Sequence, residues 1–146
     1  MKESPFLTHR HILLNGYGAA ITLRGIVLSL WNGRNWPAGL SRVGGLDEQH
    51  FSIAVELLTW YRLHGENDPD FMDTGRACEA LALEGKRQAE QQKAYDNWEQ
   101  LVNRALGVRG KDGALTFDNY EWFFDRFERG LTPAQAAEQA ITHGLE

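Results

Sequence analysis

Cysteine is nearly absent. Cys78 stands alone in 146 residues, so the chain cannot close a disulfide on itself, and a reducing compartment is expected. Long apolar runs are missing too. The most apolar window, Ala19 to Trp31, is broken by Thr22, Arg24 and Gly25 and falls short of the ~18–20 residues that span a bilayer. The opening segment, Met1 to Arg10, has neither an apolar core of signal-peptide length nor a small-residue cleavage site. We therefore expect a cytoplasmic protein with no membrane partner. Positive charge is in deficit: 15 Lys and Arg face 20 Asp and Glu, a net charge of −5. That balance argues against nucleic acid as the partner, and without acidic runs it is too mild for a DNA mimic.

The motifs of metal binding and catalysis are missing as well. The five histidines are His9, His11, His50, His64 and His143. His9 and His11 sit close in sequence, but no C-x-x-C or H-E-x-x-H completes a ligand set. Glu66, Asp68, Asp70 and Asp73 share an acidic turn, yet Pro69 and the spacing break the EF-hand pattern. The glycine-rich stretch Gly107 to Gly113 carries Arg109 and Lys111, but Ala105 and Asp112 stand where a Walker loop needs Gly and Ser or Thr. Ser29 and Ser41 lack a nucleophile elbow, and a lone Cys on a helix reads as a small buried hydrophobe. No catalytic residue, cofactor or metal site is expected, and the chain reads as a non-enzyme.

What is present is a folding composition with helical periodicity. Hydrophobic residues make up 42% and charged residues 24%, which suits a packed core without disulfides or metal. The expected fold is all-α, a compact bundle of about five or six helices ending in a C-terminal hairpin. The first helix runs from about Gly18 to Trp31, where Gly18, Thr22, Gly25 and Ser29 make a strip of small residues that a second backbone could approach. Asn32-Gly33 predicts a left-handed stop. A second helix starts at Asp47 as N-cap with Glu48 behind it and ends at Gly65. It is more apolar than one buried stripe requires: Phe51, Ala54, Leu58 and Tyr61 line one face, and Ile53, Leu57 and Trp60 another. A third begins near Asp73 or Thr74, and Gly85 either ends it or lies inside one helix reaching Leu106. Residues 1–85 are expected to form a helical domain, with 86–146 an extension packed on it as one structural unit. The loop Gly107 to Gly113 offers another place to divide front from back. Beyond it, Phe117, Tyr120, Phe123, Phe124 and Phe127 share one side of a helix ending at Gly130. Thr132, Pro133 and Gln135 then start the last helix as N-cap, N1 and N3.

Aromatic residues are in surplus: 5 Trp, 4 Tyr and 7 Phe, 11% of the chain. Trp36, Trp60 and Trp122 fall off the predicted core faces. Large aromatics and Arg dominate the energy of protein interfaces, so Trp36, Trp60 and Trp122, with Arg109 and Lys111, are the candidate partner-binding residues. The plain alternative is that a multi-helix core needs the aromatics.

From about Ala19 to Leu63 the chain carries Leu30-Trp-Asn-Gly33, a loop with Trp36-Pro37 and Leu40, then Val43-Gly-Gly-Leu-Asp-Glu48 and the amphipathic stretch Phe51 to Tyr61. These features resemble a small uncharacterised domain of proteobacterial phages, plasmids and integrative elements. Where that group has a loop like Phe-Asp-Leu-Thr-Asp-Leu, this chain reads Ala38-Gly-Leu-Ser-Arg-Val43, without the acidic capping residues. The resemblance implies an origin in a mobile genetic element and no particular chemistry. The expected function is accordingly a non-catalytic protein-interaction module of such an element, of the kind that inhibits a host defence complex such as a CRISPR effector. Its partner would be a host protein complex or a second copy of itself. The alternative is a DNA-binding accessory or regulatory protein with the last helix as reader, although Ala134 to Ile141 has no basic residue to meet phosphate. A small enzyme using Cys78 or a histidine is the third reading.

Overall fold

The structure, a computed structural model, describes residues 2–146. Among them every regular element is helical and no strand forms. The α-helices are α1 (Pro5–Thr8), α2 (Arg10–Leu13), α3 (Gly18–Asn32), α4 (Glu48–His64), α5 (Pro69–Val108), α6 (Leu115–Asp118), α7 (Tyr120–Glu128) and α8 (Pro133–Thr142). Short 3-10 turns lie at Leu40–Gly45 and Gly65–Asn67. The chain divides into two compact units, Met1–Gly85 and Lys86–Glu146. The division falls inside α5, which is continuous through Gly85; the Gly107–Gly113 segment turns within the second unit.

The first unit is built on Phe6, Leu13, Leu23, Val27, Leu57, Phe71 and Cys78, which are almost completely buried. Phe71 is its aromatic centre, with ring centroids 4.9 Å from Phe6, 5.0 Å from Tyr61 and 6.2 Å from Trp31. Ser4 caps α1 by accepting from the Phe6 amide, and Asp47 caps α4 by accepting from the His50 amide at 2.8 Å. Gly65 ends α4 with φ 53°.

Several expectations change here. Gly33 is right-handed (φ −65°, ψ −21°), so no left-handed residue stops α3; the Asn32 carbonyl and side-chain oxygen instead take the Trp36 and Asn35 amides, turning the chain. The third helix begins at Pro69, not near Asp73. Asp68 is held extended (φ −83°, ψ 111°) as residues before proline are, and Pro69 then serves as the first helical residue, where its missing N–H costs nothing. The small-residue strip of α3 is not a close helix contact either. Nothing outside α3 comes within 4 Å of where a Cβ on Gly18 or Gly25 would lie. The close approach is at Gly75 of α5, where a Cβ would lie 2.3 Å from Cε3 of Trp31.

The second unit packs Tyr95, Trp98, Val102 and Leu106 of α5 against Leu115, Phe123, Ala136, Ala137 and Ala140. The capping box of Thr132 and Gln135 forms as the sequence predicts, with Pro133 at the first turn. α7 and α8 make the C-terminal hairpin, turned by Gly130 at φ 79° and tied to α5 by the Trp98 indole, which donates to the Leu131 carbonyl at 2.9 Å. The single aromatic helix expected from Phe117 to Phe127 is broken at Asn119 (φ −119°, ψ 38°). Phe117 is thereby stranded on the one-turn α6, 81% exposed. Tyr95 is enclosed by Trp98, Tyr120, Phe124 and Phe127. Its buried hydroxyl meets no hydrogen-bond partner among the described residues; burial, with the Glu99 carboxylate nearby, pushes its pKa far above the usual tyrosine value.

Candidate functional site

The three tryptophans singled out from the sequence are each tied down within the fold. The Trp36 indole donates to Glu79 Oε2 at 3.0 Å, and the Trp31 indole donates to the same oxygen at 3.2 Å. Trp60 donates to Asp68 Oδ2 at 2.8 Å and packs against His64, with centroids 4.2 Å apart and the rings tilted by 40°. Trp122 packs on Phe123 and His143 and lies under the Arg126 guanidinium, 3.8 Å from its ring centroid. Trp36 and Trp60 belong to the first unit, and Trp122, Arg109 and Lys111 to the second. Arg109 and Lys111 are exposed, but the backbone around them is spent on closing α5. The Arg109 and Lys111 amides donate to the Leu106 carbonyl and the Gly110 amide to Gly107, with Gly110 at φ 76°. A glycine-rich loop whose N–H groups point back at its own helix makes no phosphate cradle.

Asp68 is a polar junction of the first unit. It is buried and accepts from the Ser4 hydroxyl (2.6 Å) and the Trp60 indole (2.8 Å) through Oδ2, and from the Asp70 amide (2.9 Å) through Oδ1. These bonds fasten the residues before α1, the end of α4 and the start of α5 at one point. Trp60 is thereby fixed as a wall of a groove of about 470 Å³ between α1 and α4, whose other sides include Pro5, Thr8, Val55, Thr59 and Leu63, with Lys2, Glu3 and Glu56 at its rim.

The groove continues onto the outer face of α4. Ile53, Ala54 and Leu57 turn inward, while Phe51, Val55, Leu58 and Leu63 are 49%, 46%, 45% and 73% exposed. The sequence signal for this face was the excess of apolar residues all round the helix, a pattern that a single buried stripe does not use. Scattered exposed apolar residues are ordinary, but Phe51, Val55 and Leu58 share one stripe of the helix, and Leu63 joins Val55 where the stripe meets the groove.

A second, smaller groove of about 280 Å³ lies where the strip of small residues faces the Gly33–Leu46 loop, lined by Thr22, Gly25, Pro37, Leu40 and Val43. Among the described residues no three His, Cys, Asp or Glu side chains gather closely enough to hold a metal ion. His9 bonds Glu56 at 3.1 Å instead of joining His11. No described helix is long and apolar enough to cross a membrane.

Compared with known proteins, the chain matches no family model, no curated protein and no solved structure. Its function therefore rests on the geometry of its own side chains.

Cys78 lies wholly inside the core of the first unit. Burial pushes its pKa up to about 11, against the pull of Arg24 and Arg10. The thiolate is the nucleophile, so at neutral pH this sulfur is inert. A folded pKa raised above the unfolded value means the folded state holds the proton. The stability this contributes is present below about pH 9.0 and is lost as pH rises towards 11. We expect a disulfide exchange reagent at pH 8 to modify Cys78 at least about a hundredfold more slowly in the native chain than in denaturant. Native-state labelling at the denatured rate would place the thiol outside the core.

Proposed function

We propose that the chain is a non-catalytic protein-interaction module, and that its outer α4 face with the adjoining groove receives an amphipathic helix of the partner. The observation that carries this reading is the exposed set Phe51, Val55, Leu58 and Leu63 beside the apolar groove. From Phe51 to Leu63 the face extends about 18 Å at 1.5 Å per residue, some three turns of a partner helix. Helix-in-groove recognition uses anchors at that spacing. The rim carries both signs, Lys2 against Glu3 and Glu56, which matches the mixed-charge flank of such a helix and offers little to a phosphate backbone. Trp60, anchored on Asp68, shapes the surface; the aliphatic residues and Phe51 meet the partner. Given the resemblance of residues 19–63 to a domain of mobile elements, the partner this reading favours is a host complex of the kind that acts against them.

The test is capture of a partner from host lysate by the full-length chain, followed by measurement of the affinity with both components purified. Val55→Glu with Leu63→Glu should weaken a one-to-one complex at least about tenfold, because each places a charge in the dry centre of the interface. Trp122→Ala, in the other unit, should leave it unchanged. A complex indifferent to the paired glutamates sinks the reading. So does sedimentation showing that wild type self-associates through this face, which would make a second copy the occupant.

A further inference from the structure

One cluster of chemistry-bearing side chains lies outside the α1–α4 groove and takes no part in partner binding there. Tyr17 immediately precedes α3 and is 41% exposed. Its hydroxyl lies 2.9 Å from Nε2 of His50, on the first turn of α4. The other ring nitrogen of His50, Nδ1, lies 2.7 Å from Oδ1 of Asp47. Asp47 is kept ionised, its pKa held below the ordinary carboxylate value chiefly by the hydrogen bond from the His50 amide and then by the one from the His50 ring. An ionised carboxylate only accepts, so Nδ1 must carry the proton. In the neutral ring Nε2 is then the acceptor, and the Tyr17 O–H donates to it. The order is hydroxyl, imidazole, carboxylate: a nucleophile against a base that a third group orients.

We propose that Tyr17 is a base-activated acyl acceptor, with His50 as its general base and Asp47 as the residue that positions and polarises the ring. The substrate class follows from the charge around it. Asp47 and the adjacent Glu48 would repel a phosphoryl donor, and the nearest guanidinium along α3, Arg24, is spent on the carbonyls of Leu13 and Asn15 at 2.9 and 2.7 Å. An uncharged activated ester meets no such barrier. In the step, the phenolic oxygen forms the new bond to the acyl carbon as its proton passes to Nε2. The bond from that carbon to the leaving group breaks, and the leaving group departs with its electron pair and takes the proton from His50. The product is an O-acyl tyrosine, which can no longer donate to His50, so acylation would unfasten the residues before α3 from the start of α4.

Tyr120 provides the internal control, because it is 43% exposed but packs against Tyr95 and Phe124, with no histidine at its ring. The full chain is treated with p-nitrophenyl acetate at pH 7.5, and acetylation of each tyrosine is followed by peptide mass spectrometry. Tyr17 should react at least about tenfold faster than Tyr120, a conservative share of what a positioned base supplies. The pH profile of its rate should differ from that of Tyr120. His50→Gln should bring Tyr17 down to the rate of Tyr120. Asp47→Asn, which remains a good N-cap, should give an intermediate rate and change the pH profile of Tyr17 acetylation while leaving that of Tyr120 as it is, which mere loss of structure would not do. Equal rates at Tyr17 and Tyr120, or a fast Tyr17 indifferent to His50→Gln, would overturn the assignment. Neither result bears on the α4 groove.

Discussion

Replacing Asp68 by alanine is expected to destabilise the first unit by about 3 kcal/mol, among the largest effects of any polar substitution in the chain. The reason is the set of donors the change leaves behind. The carboxylate accepts from Ser4, Trp60 and the Asp70 amide, and hydrogen bonds to a charged group contribute roughly 1.5–3 kcal/mol each before non-additivity. The Ser4 hydroxyl can turn to another acceptor and the Asp70 amide is near the solvated start of α5, but the Trp60 indole has one donor in one direction. The lost bond to the Asp70 amide is itself the cap of α5 and accounts for about 1 kcal/mol of the total. Asp68→Asn should cost less, because one amide oxygen can still satisfy either the cap or the indole, though not both. Trp60→Phe should cost less again, since it deletes a donor without stranding one. Urea unfolding followed by circular dichroism, together with Cys78 labelling as a local reporter of the first unit, measures the order directly. If Asp68→Ala proves as mild as Trp60→Phe, the carboxylate is not the junction its geometry indicates.

The same substitution bears on binding. Trp60 is a wall of the α1–α4 groove, and its orientation is set by the bond to Asp68. Ser4, beside the groove residue Pro5, is held by the same oxygen. A partner helix that reads the width of the groove should therefore feel Asp68→Ala even though the carboxylate itself is buried beneath the surface. In Asp68→Asn, where the walls are partly held, affinity should fall less than in the alanine variant.

The legibility of these features in the sequence depends on how far apart the interacting residues lie along the chain. Local signals carried: Asp47 before α4, Gly65 after it, and the Thr132, Pro133 and Gln135 set that starts α8 act between neighbours. The all-α class follows from periodicity over long stretches. Single turns such as α1 and α2, four residues each, are too short to repeat the helical period, so no pattern announces them. Pro69 illustrates a local signal with two meanings. Proline both ends the segment before it and begins the one after, and here the second role dominates because Asp68 caps the new turn. The tryptophans illustrate the non-local limit. Trp36 finds Glu79 across 43 positions and Ser4 finds Asp68 across 64, so from sequence these indoles read as surplus when they are fasteners. The Tyr17–His50 pair, 33 positions apart, leaves no local trace. The outer face of α4 was legible only as an excess of apolar residues, and which of its two faces would turn inward needed the position of α3.

Gly75→Ala is expected to destabilise the first unit by about 2 kcal/mol, although alanine is the better helix former by about 1 kcal/mol. The added methyl would lie 2.3 Å from Cε3 and 2.8 Å from Cδ2 of Trp31, inside any tolerable contact, so either the ring or the helix must move. The ring is held on several sides. Its indole nitrogen donates to Glu79, its face packs on Phe71, and the Arg76 guanidinium lies 5.8 Å from its centroid. Overpacking a core site of this kind costs roughly 1–3 kcal/mol and sometimes more, which exceeds the gain in propensity. Gly25→Ala and Gly85→Ala supply the contrast. Both glycines are helical with nothing within 4 Å of the position a Cβ would take, so each substitution should stabilise by up to about 1 kcal/mol. The clash can be isolated by removing its partner. In a Trp31→Leu background the bulky ring is gone, and Gly75→Ala should lose most of its cost or turn favourable, a coupling that a double-mutant cycle reads as a difference of about 2 kcal/mol. Gly75→Ala behaving like Gly85→Ala in the wild-type background would mean that α5 does not approach Trp31 as closely as the structure places it.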